Sequence, residues 1–284
     1  MYLYNRSVFF LVISIFLGCV NDVLTRMIGQ NIPIIEIIFF RFFIGVFITL
    51  PLLLTIKNRV INKNNILVNI FRSVLGVTSF YMCSFAIMRI PLIEVTTILW
   101  SIPLFTVLLS FIFLKEKIAF KIMVATFFGF IGILLTMYSD LSNFSIKAIY
   151  LIPFTAALLF ALQDVIIKKM TISQENEAVM ILLFSLIISL LTLIPTICSW
   201  VTPSVYELVL LILLGTLSTL MQYFIFLSFK GIDLSKLAPV RYTEFIFQAL
   251  AGFIFFSEIP GLNVLIGIFV LIPSTLYIVR NECV

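Results

Sequence analysis

Apolar residues fill the chain in runs of about twenty, separated by short clusters of charge and turn residues. A helix needs roughly that many apolar positions to cross the hydrocarbon core of a bilayer. Cutting at the clusters gives ten segments, near 7–27, 35–56, 67–88, 94–113, 120–138, 148–168, 178–199, 205–229, 234–256 and 261–279. The pattern predicts an all-α membrane protein with ten transmembrane helices. The connections are short, and none resembles a soluble domain, a low-complexity tract or a flexible linker. The first run follows only Arg6, lacks a small-residue cleavage site and is followed by nine similar runs, so it reads as a retained span rather than a signal peptide.

One run departs from this apolar habit. Leu234–Gln248, at the start of the ninth segment, carries Lys236, Arg241, Glu244, Pro239, Tyr242 and Gln248. An arginine and a glutamate at mid-bilayer cost several kcal/mol unless they pair or face water. At α-helical spacing Leu237, Arg241, Glu244 and Gln248 share one face, and Arg241 and Glu244 are positioned to pair at i, i+3. At 1.5 Å per residue they lie about 10 and 15 Å from the entry point. Pro239 cannot donate to the Ser235 carbonyl, which favours a kink and free acceptors. Two readings stand: a salt bridge that locks two helices together, or a polar cavity. Tyr242 and Gln248 add polar groups beyond what a lock needs and favour the cavity.

An internal repeat appears at an offset of 142 residues. Asn21-Asp22-Val23 matches Gln163-Asp164-Val165, Phe111-Ile112-Phe113 matches Phe253-Ile254-Phe255, and Glu116 matches Glu258. The expected units are residues 1–142 and 143–284. Five helices in each unit place the second upside down, the arrangement of secondary transporters whose site lies at midplane between the repeats. The counterpart of Leu234–Gln248 is then Thr96–Pro103, where Thr97 and Ser101 share a face and Trp100 aligns with Tyr242. Ser and Thr also bond to their own helix carbonyls. An indole inside the membrane wants a partner for its N–H. Asn21, Asp22, Gln163 and Asp164 form a symmetric acidic set, with Asp22–Arg26 and Asp164–Lys168 at i, i+4. These pairs are read as helix-end ion pairs, as ligand contacts or as gates. Arg41 is open between the cavity and the membrane surface, whereas Arg72, one turn into its span, is expected to snorkel. Tyr81, Gln222 and Tyr223 are secondary cavity candidates, and Gly129, Gly132, Gly215 and Ser218 read as close-packing positions.

Composition narrows the function. The 284 residues are 62% hydrophobic and 11% charged, far from soluble averages. A net charge of +5, scattered through loops, does not suit nucleic acid. With the N-terminus in the cytoplasm, twelve Lys and Arg fall in inside loops against three outside, namely Arg26, Arg89 and Lys147. That bias places both termini in the cytoplasm. Histidine is absent and the four cysteines are isolated, so no metal site, disulfide framework or imidazole relay is signalled. No nucleotide-binding or nucleophile motif appears, no cofactor is expected, and the chain is not read as an enzyme. An intramembrane enzyme or a structural subunit is the contrasting reading; missing catalytic constellations weigh against it. The partners expected are the lipid bilayer and a small-molecule substrate; the oligomeric state is not set by the sequence, and a monomer is compatible with it.

Ten spans in two inverted halves, the ending FIFLKEK (111–117), FFGFIGILL (127–135) and the repeated FIFFSE (253–258) resemble the EamA type of the drug/metabolite transporter superfamily. A narrower resemblance, to S-adenosylmethionine transporters of obligate intracellular bacteria, rests on Asn21-Asp22-Val23, Phe39–Phe43 around Arg41, Ser101–Thr106, Pro239–Glu244 and Ile272–Leu276. It implies an inner-membrane carrier that imports S-adenosylmethionine, in exchange for S-adenosylhomocysteine. Arg241 would then take the carboxylate, Glu244 or an aspartate the cationic end, and Trp100 and Tyr242 the adenine or sulfonium. A large zwitterionic amino acid would use most of the same groups, so amino acids or other amphiphilic metabolites, moved in either direction, remain the alternative cargo.

Overall fold

Among the described residues, six of the apolar runs form single helices long and apolar enough to cross a membrane. They are α1 (Tyr2–Ile28), α2 (Ile34–Thr55), α3 (Lys63–Arg89), α6 (Leu151–Ile172), α7 (Glu177–Cys198) and α8 (Val205–Phe229). The computed structural model describes residues 2–55, 63–90, 92–116, 148–173 and 176–257, with isolated positions between 120 and 131. The fifth predicted span, all but those positions, and the tenth lie outside the described residues, as do Glu258, Gly129 and Gly132. Among the described residues every regular element is helical.

Polar residues at the run ends start the helices where the pattern places them. Asn176 accepts from the Ala178 N–H at 3.0 Å at the start of α7. Ser204 and Glu207 form a reciprocal capping box on α8. Glu207 also accepts from Asn31 Nδ2 at 2.9 Å, which ties the α1–α2 turn to the α8 N-terminus.

The fourth and ninth runs differ from the predicted continuous spans, for a reason visible in their prolines. The fourth divides into α4 (Leu92–Leu99) and α5 (Ile102–Leu109), the latter running on as a π turn over Ser110–Leu114. Pro103 offers no N–H to the Leu99 carbonyl and its ring crowds it, so the helix breaks at Trp100–Ser101. The ninth begins as α9 (Leu234–Leu237), tightens into a 3₁₀ segment over Ala238–Thr243, and resumes as α10 (Glu244–Phe256). Pro239 is again inside the irregular stretch. The single α-helical face drawn through Leu237, Arg241, Glu244 and Gln248 therefore does not form as predicted.

Several boundaries recur 142 residues apart: α3 and α8 start at 63 and 205, α4 and α9 at 92 and 234, α5 and α10 at 102 and 244. The two interrupted helices end alike. Lys115 (φ 55°) and Ser257 (φ 54°) both adopt the left-handed conformation, and their N–H groups return to the carbonyls of Ser110 and Gly252. In space α1 packs on α8 and α3 on α6, while α2 lies against both α7 and α8. Close approach is set by small residues. A Cβ on Gly215 would come within 2.7 Å of Ile44 Cβ, and one on Gly45 within 2.9 Å of Thr219 Oγ1. Gly215 is thus a close-packing position between α2 and α8.

Candidate substrate cavity

The helices surround a cavity of about 140 Å³, room for roughly five waters. It is lined from α1, α2, α3, α6, α7, α8, the two broken helices and their junctions. Three guanidiniums and three carboxylates face it: Arg41, Arg72 and Arg241, with Asp22, Asp164 and Glu244.

Of these only one ion pair is direct. Arg241 Nη2 lies 2.7 Å from Asp164 Oδ2, joining the 3₁₀ segment to α6. The expected pairing of Arg241 with Glu244 is absent, because the 3₁₀ turn rotates Arg241 off the α-helical face toward α6. Glu244, at the first position of α10, faces the cavity with no hydrogen bond or ion pair among the described residues; Asp22, Arg241 and Asp164 are the charges that act on it. Asp22 accepts from Gln248 Nε2 at 2.7 Å, a bond from α1 to α10. Gln163, also on the wall, donates to Ser79 Oγ at 2.8 Å.

Arg41 and Arg72 sit on aromatic faces. The Arg41 guanidinium carbon is 4.5 Å from the Phe80 ring centre, and that of Arg72 is 3.8 Å from Phe184. Arg72 also reaches Gln222 Oε1 at 3.4 Å and is 1% exposed, so it does not snorkel as predicted. A path to the surface would cost it the Phe184 face and the cavity carboxylate Asp164 that acts on it. Phe160 packs edge-on against Phe80, extending the aromatic wall.

Other expected site residues stand back from the cavity. Trp100 is buried beside it, its ring edge-on to Phe245 at 4.2 Å, with Nε1 lacking a partner among the described residues. Tyr242 is buried as well and does not line the space. The break at Trp100–Ser101 turns the indole into the α4–α10 contact rather than inward. Ser101 Oγ donates to the Ile98 carbonyl at 2.8 Å, the local alternative foreseen for it. The Thr97 side chain lies outside the described residues. Asn21 is fully buried and donates to Met221 Sδ at 3.7 Å, and Gln248 supports Asp22 from behind. Tyr81 and Tyr223 are more than 40% exposed and point away, whereas Gln222 lines the wall.

The pairing of Asp164 with Lys168 is also replaced. Lys168 is buried and donates to the Phe229 carbonyl at 2.7 Å and to the Ile232 carbonyl, neutralising the C-terminal end of α8. Beside it Glu116 accepts from the N–H groups of Leu234 and Ser235 at 2.9 and 3.0 Å. Arg26, the counterpart of Lys168, lies 4.2 Å from the Phe256 ring centre.

The sequence reading missed Arg72, Phe80, Phe160 and Phe184 as wall residues. A signal was available for the first. Asn69, Ser73, Gly76 and Ser79 form a small polar stripe at helical spacing on α3, fully or almost fully buried, while Leu67, Phe71 and Val74 on the other side are exposed. Arg72 belongs to the inward stripe. With 31 phenylalanines in the chain, no single one stood out.

A charged cavity between broken helices suits a carrier, and similarity to known proteins agrees. Residues 5–138 match the model of the EamA-like transporter family. The chain is 30% identical to an S-adenosylmethionine uptake transporter of Rickettsia bellii, over 98% of this chain and 95% of that protein. The chain belongs to the EamA-like transporter family. It is a multi-pass integral membrane protein of the bacterial inner membrane, and a transporter rather than an enzyme. EamA relatives differ in cargo: a riboflavin transporter of Brucella anthropi is 26% identical over 92% of this chain and 94% of that protein. One solved crystal structure superposes with a TM-score of 0.78 at 16% identity, covering 95% of both chains, which shows the fold to be shared.

Proposed function

We propose that this EamA protein is an alternating-access carrier that imports S-adenosylmethionine, in exchange for S-adenosylhomocysteine. The observation that carries the reading is the chemistry of the cavity wall: arginines, carboxylates and phenyl rings line one space. S-adenosylmethionine presents a carboxylate, an ammonium, a sulfonium and an adenine, and each has a chemical counterpart on that wall. The name of the Rickettsia bellii relative supports the same cargo.

Ten helices in two inverted units, residues 1–142 and 143–284, suit this mechanism. The 142-residue recurrence of helix starts and left-handed caps supports the repeat, and the Lys and Arg bias supports cytoplasmic termini. In this reading Arg41, Arg72, Arg241, Asp22, Asp164, Glu244 and Gln163 meet the substrate. Gln248, Asn21, Trp100, Tyr242 and Ser101 hold the wall from behind. Uptake of radiolabelled S-adenosylmethionine into a bacterium lacking a carrier of its own is the test. Saturable uptake, accelerated by internal S-adenosylhomocysteine, is expected; its absence rejects the proposal.

A second reading keeps the carrier and changes the cargo to amino acids or other amphiphilic metabolites, moved inward or outward. The riboflavin transporter of Brucella anthropi favours it, since the family scaffold is evidently compatible with other cargo. Competition by unlabelled compounds separates the two.

A further inference from the structure

The cavity charges are not equivalent, and their differences assign a specificity determinant. Arg241 and Asp164 are joined as an ion pair at 2.7 Å. Asp22 is held by Gln248, with Arg41 as the cation acting on it. Arg41 and Arg72 lie over Phe80 and Phe184. Glu244 alone among the described cavity carboxylates has neither a hydrogen bond nor an ion pair, and it faces the open space. A carboxylate withdrawn from water without a partner is costly, so a site that keeps one suits a cation arriving with the ligand. The aromatic faces that could serve such a cation instead are partly taken. Phe80 and Phe184 each carry a guanidinium, and a second cation on the same ring would be repelled by the first.

We infer that Glu244 is the residue that reads the positive charge of the cargo, pairing with its sulfonium and so separating S-adenosylmethionine from the neutral thioether left after methyl transfer. This rests on the cargo proposed above. It makes the bound cation, rather than Arg241, the partner of Glu244, and leaves the Arg241–Asp164 pair intact when substrate is present. The carboxylate of the substrate is then served by Arg72 or Arg41, which have no direct carboxylate partner among the described residues.

The test compares uptake of labelled S-adenosylmethionine with its inhibition by unlabelled S-adenosylhomocysteine, in wild type and in E244Q, E244D and D22N. The inference expects E244Q to lower the preference for the sulfonium over the thioether on the order of tenfold, equivalent to about 1.4 kcal/mol. E244D, which keeps the charge, should retain most of that preference. D22N, which removes a charge from the same wall, should change the ratio clearly less than E244Q. Purified E244Q should still be stabilised against heat by S-adenosylhomocysteine, which shows that it is folded. If E244Q does not reach the membrane, the ratio in E244D decides, a tenfold loss with the charge retained counting against the inference. An unchanged ratio in E244Q, or an equal change in D22N, overturns the assignment while leaving the cargo in place. Wild-type protein that handles neither compound removes the cargo assignment, and this inference with it.

Discussion

Arg241 is bound to Asp164, at 2.7 Å, and not to Glu244 three residues further along its own segment. The pair crosses from the 3₁₀ stretch of the ninth span to α6, so it fixes two elements that a local i, i+3 bridge would have left independent. Breaking a buried pair by removing one partner costs about 3–5 kcal/mol, because the other charge is left uncompensated. R241Q and D164N should therefore each lower the melting temperature of the detergent-purified protein markedly. The double variant should recover most of the loss, and additive losses would show that the pair is not an energetic unit. R241Q should also reduce uptake strongly.

The buried Trp100 gives the opposite expectation. Its indole packs edge-on against Phe245, and Nε1 has no partner among the described residues. W100F should keep uptake within about twofold of wild type, since the contact is apolar. W100A should destabilise by about 3–5 kcal/mol, the range for deleting a large buried aromatic. Initial uptake rates and thermal melts of the two variants check this. A large loss of uptake in stable W100F would return Trp100 to the substrate wall.

How much of this was legible beforehand follows from the kind of signal each feature leaves. Apolar run length is a one-dimensional property, and it located the six unbroken spans among the described residues. The polar content of Leu234–Gln248 singled out a segment that brings Arg241 and Glu244 to a cavity also lined by Asp22, Gln163, Asp164 and Arg41. The pairing among them was not legible. It depends on the 3₁₀ geometry of Ala238–Thr243 and on which helix lies opposite, and the α-helical spacing assumed for Arg241 and Glu244 points to the wrong partner. Arg72 was misjudged for a related reason. Its depth along α3 suggested snorkelling, but its face, shared with Asn69, Ser73 and Gly76, decides its direction.

Gln248 spans from α10 to Asp22 of α1 at 2.7 Å. Q248L removes the donor and leaves a cavity carboxylate one hydrogen bond short, at a cost of about 1–3 kcal/mol. The Asp22 carboxylate then loses the contact that fixes it against α10, so the wall beside Glu244 is no longer held in place for the cargo. The expected result is a raised KM for uptake with a smaller change in maximal rate, read from concentration series. An unaltered KM would mean that Asp22 has a second support.

The joint at the end of α8 is the last place where the sequence placed charge correctly and partner wrongly. Lys168 donates to the Phe229 and Ile232 carbonyls, and Glu116 accepts from the Leu234 and Ser235 N–H groups, so two opposite charges clamp one short turn from both helix ends. Each charge complements the dipole of the helix end that it meets. E116Q keeps one acceptor, loses the charge and sets its NH2 group against the other N–H, and should cost about 1–3 kcal/mol. K168M leaves the turn carbonyls without their donor and should cost about 1–3 kcal/mol. Because the turn carries directly into α9 and the Arg241 segment, K168M should slow uptake by more than its stability loss accounts for. Thermal melts and initial rates measured on the same preparations decide the matter. Loss of stability with an unchanged rate would make the clamp a fixed anchor that does not transmit to the cavity.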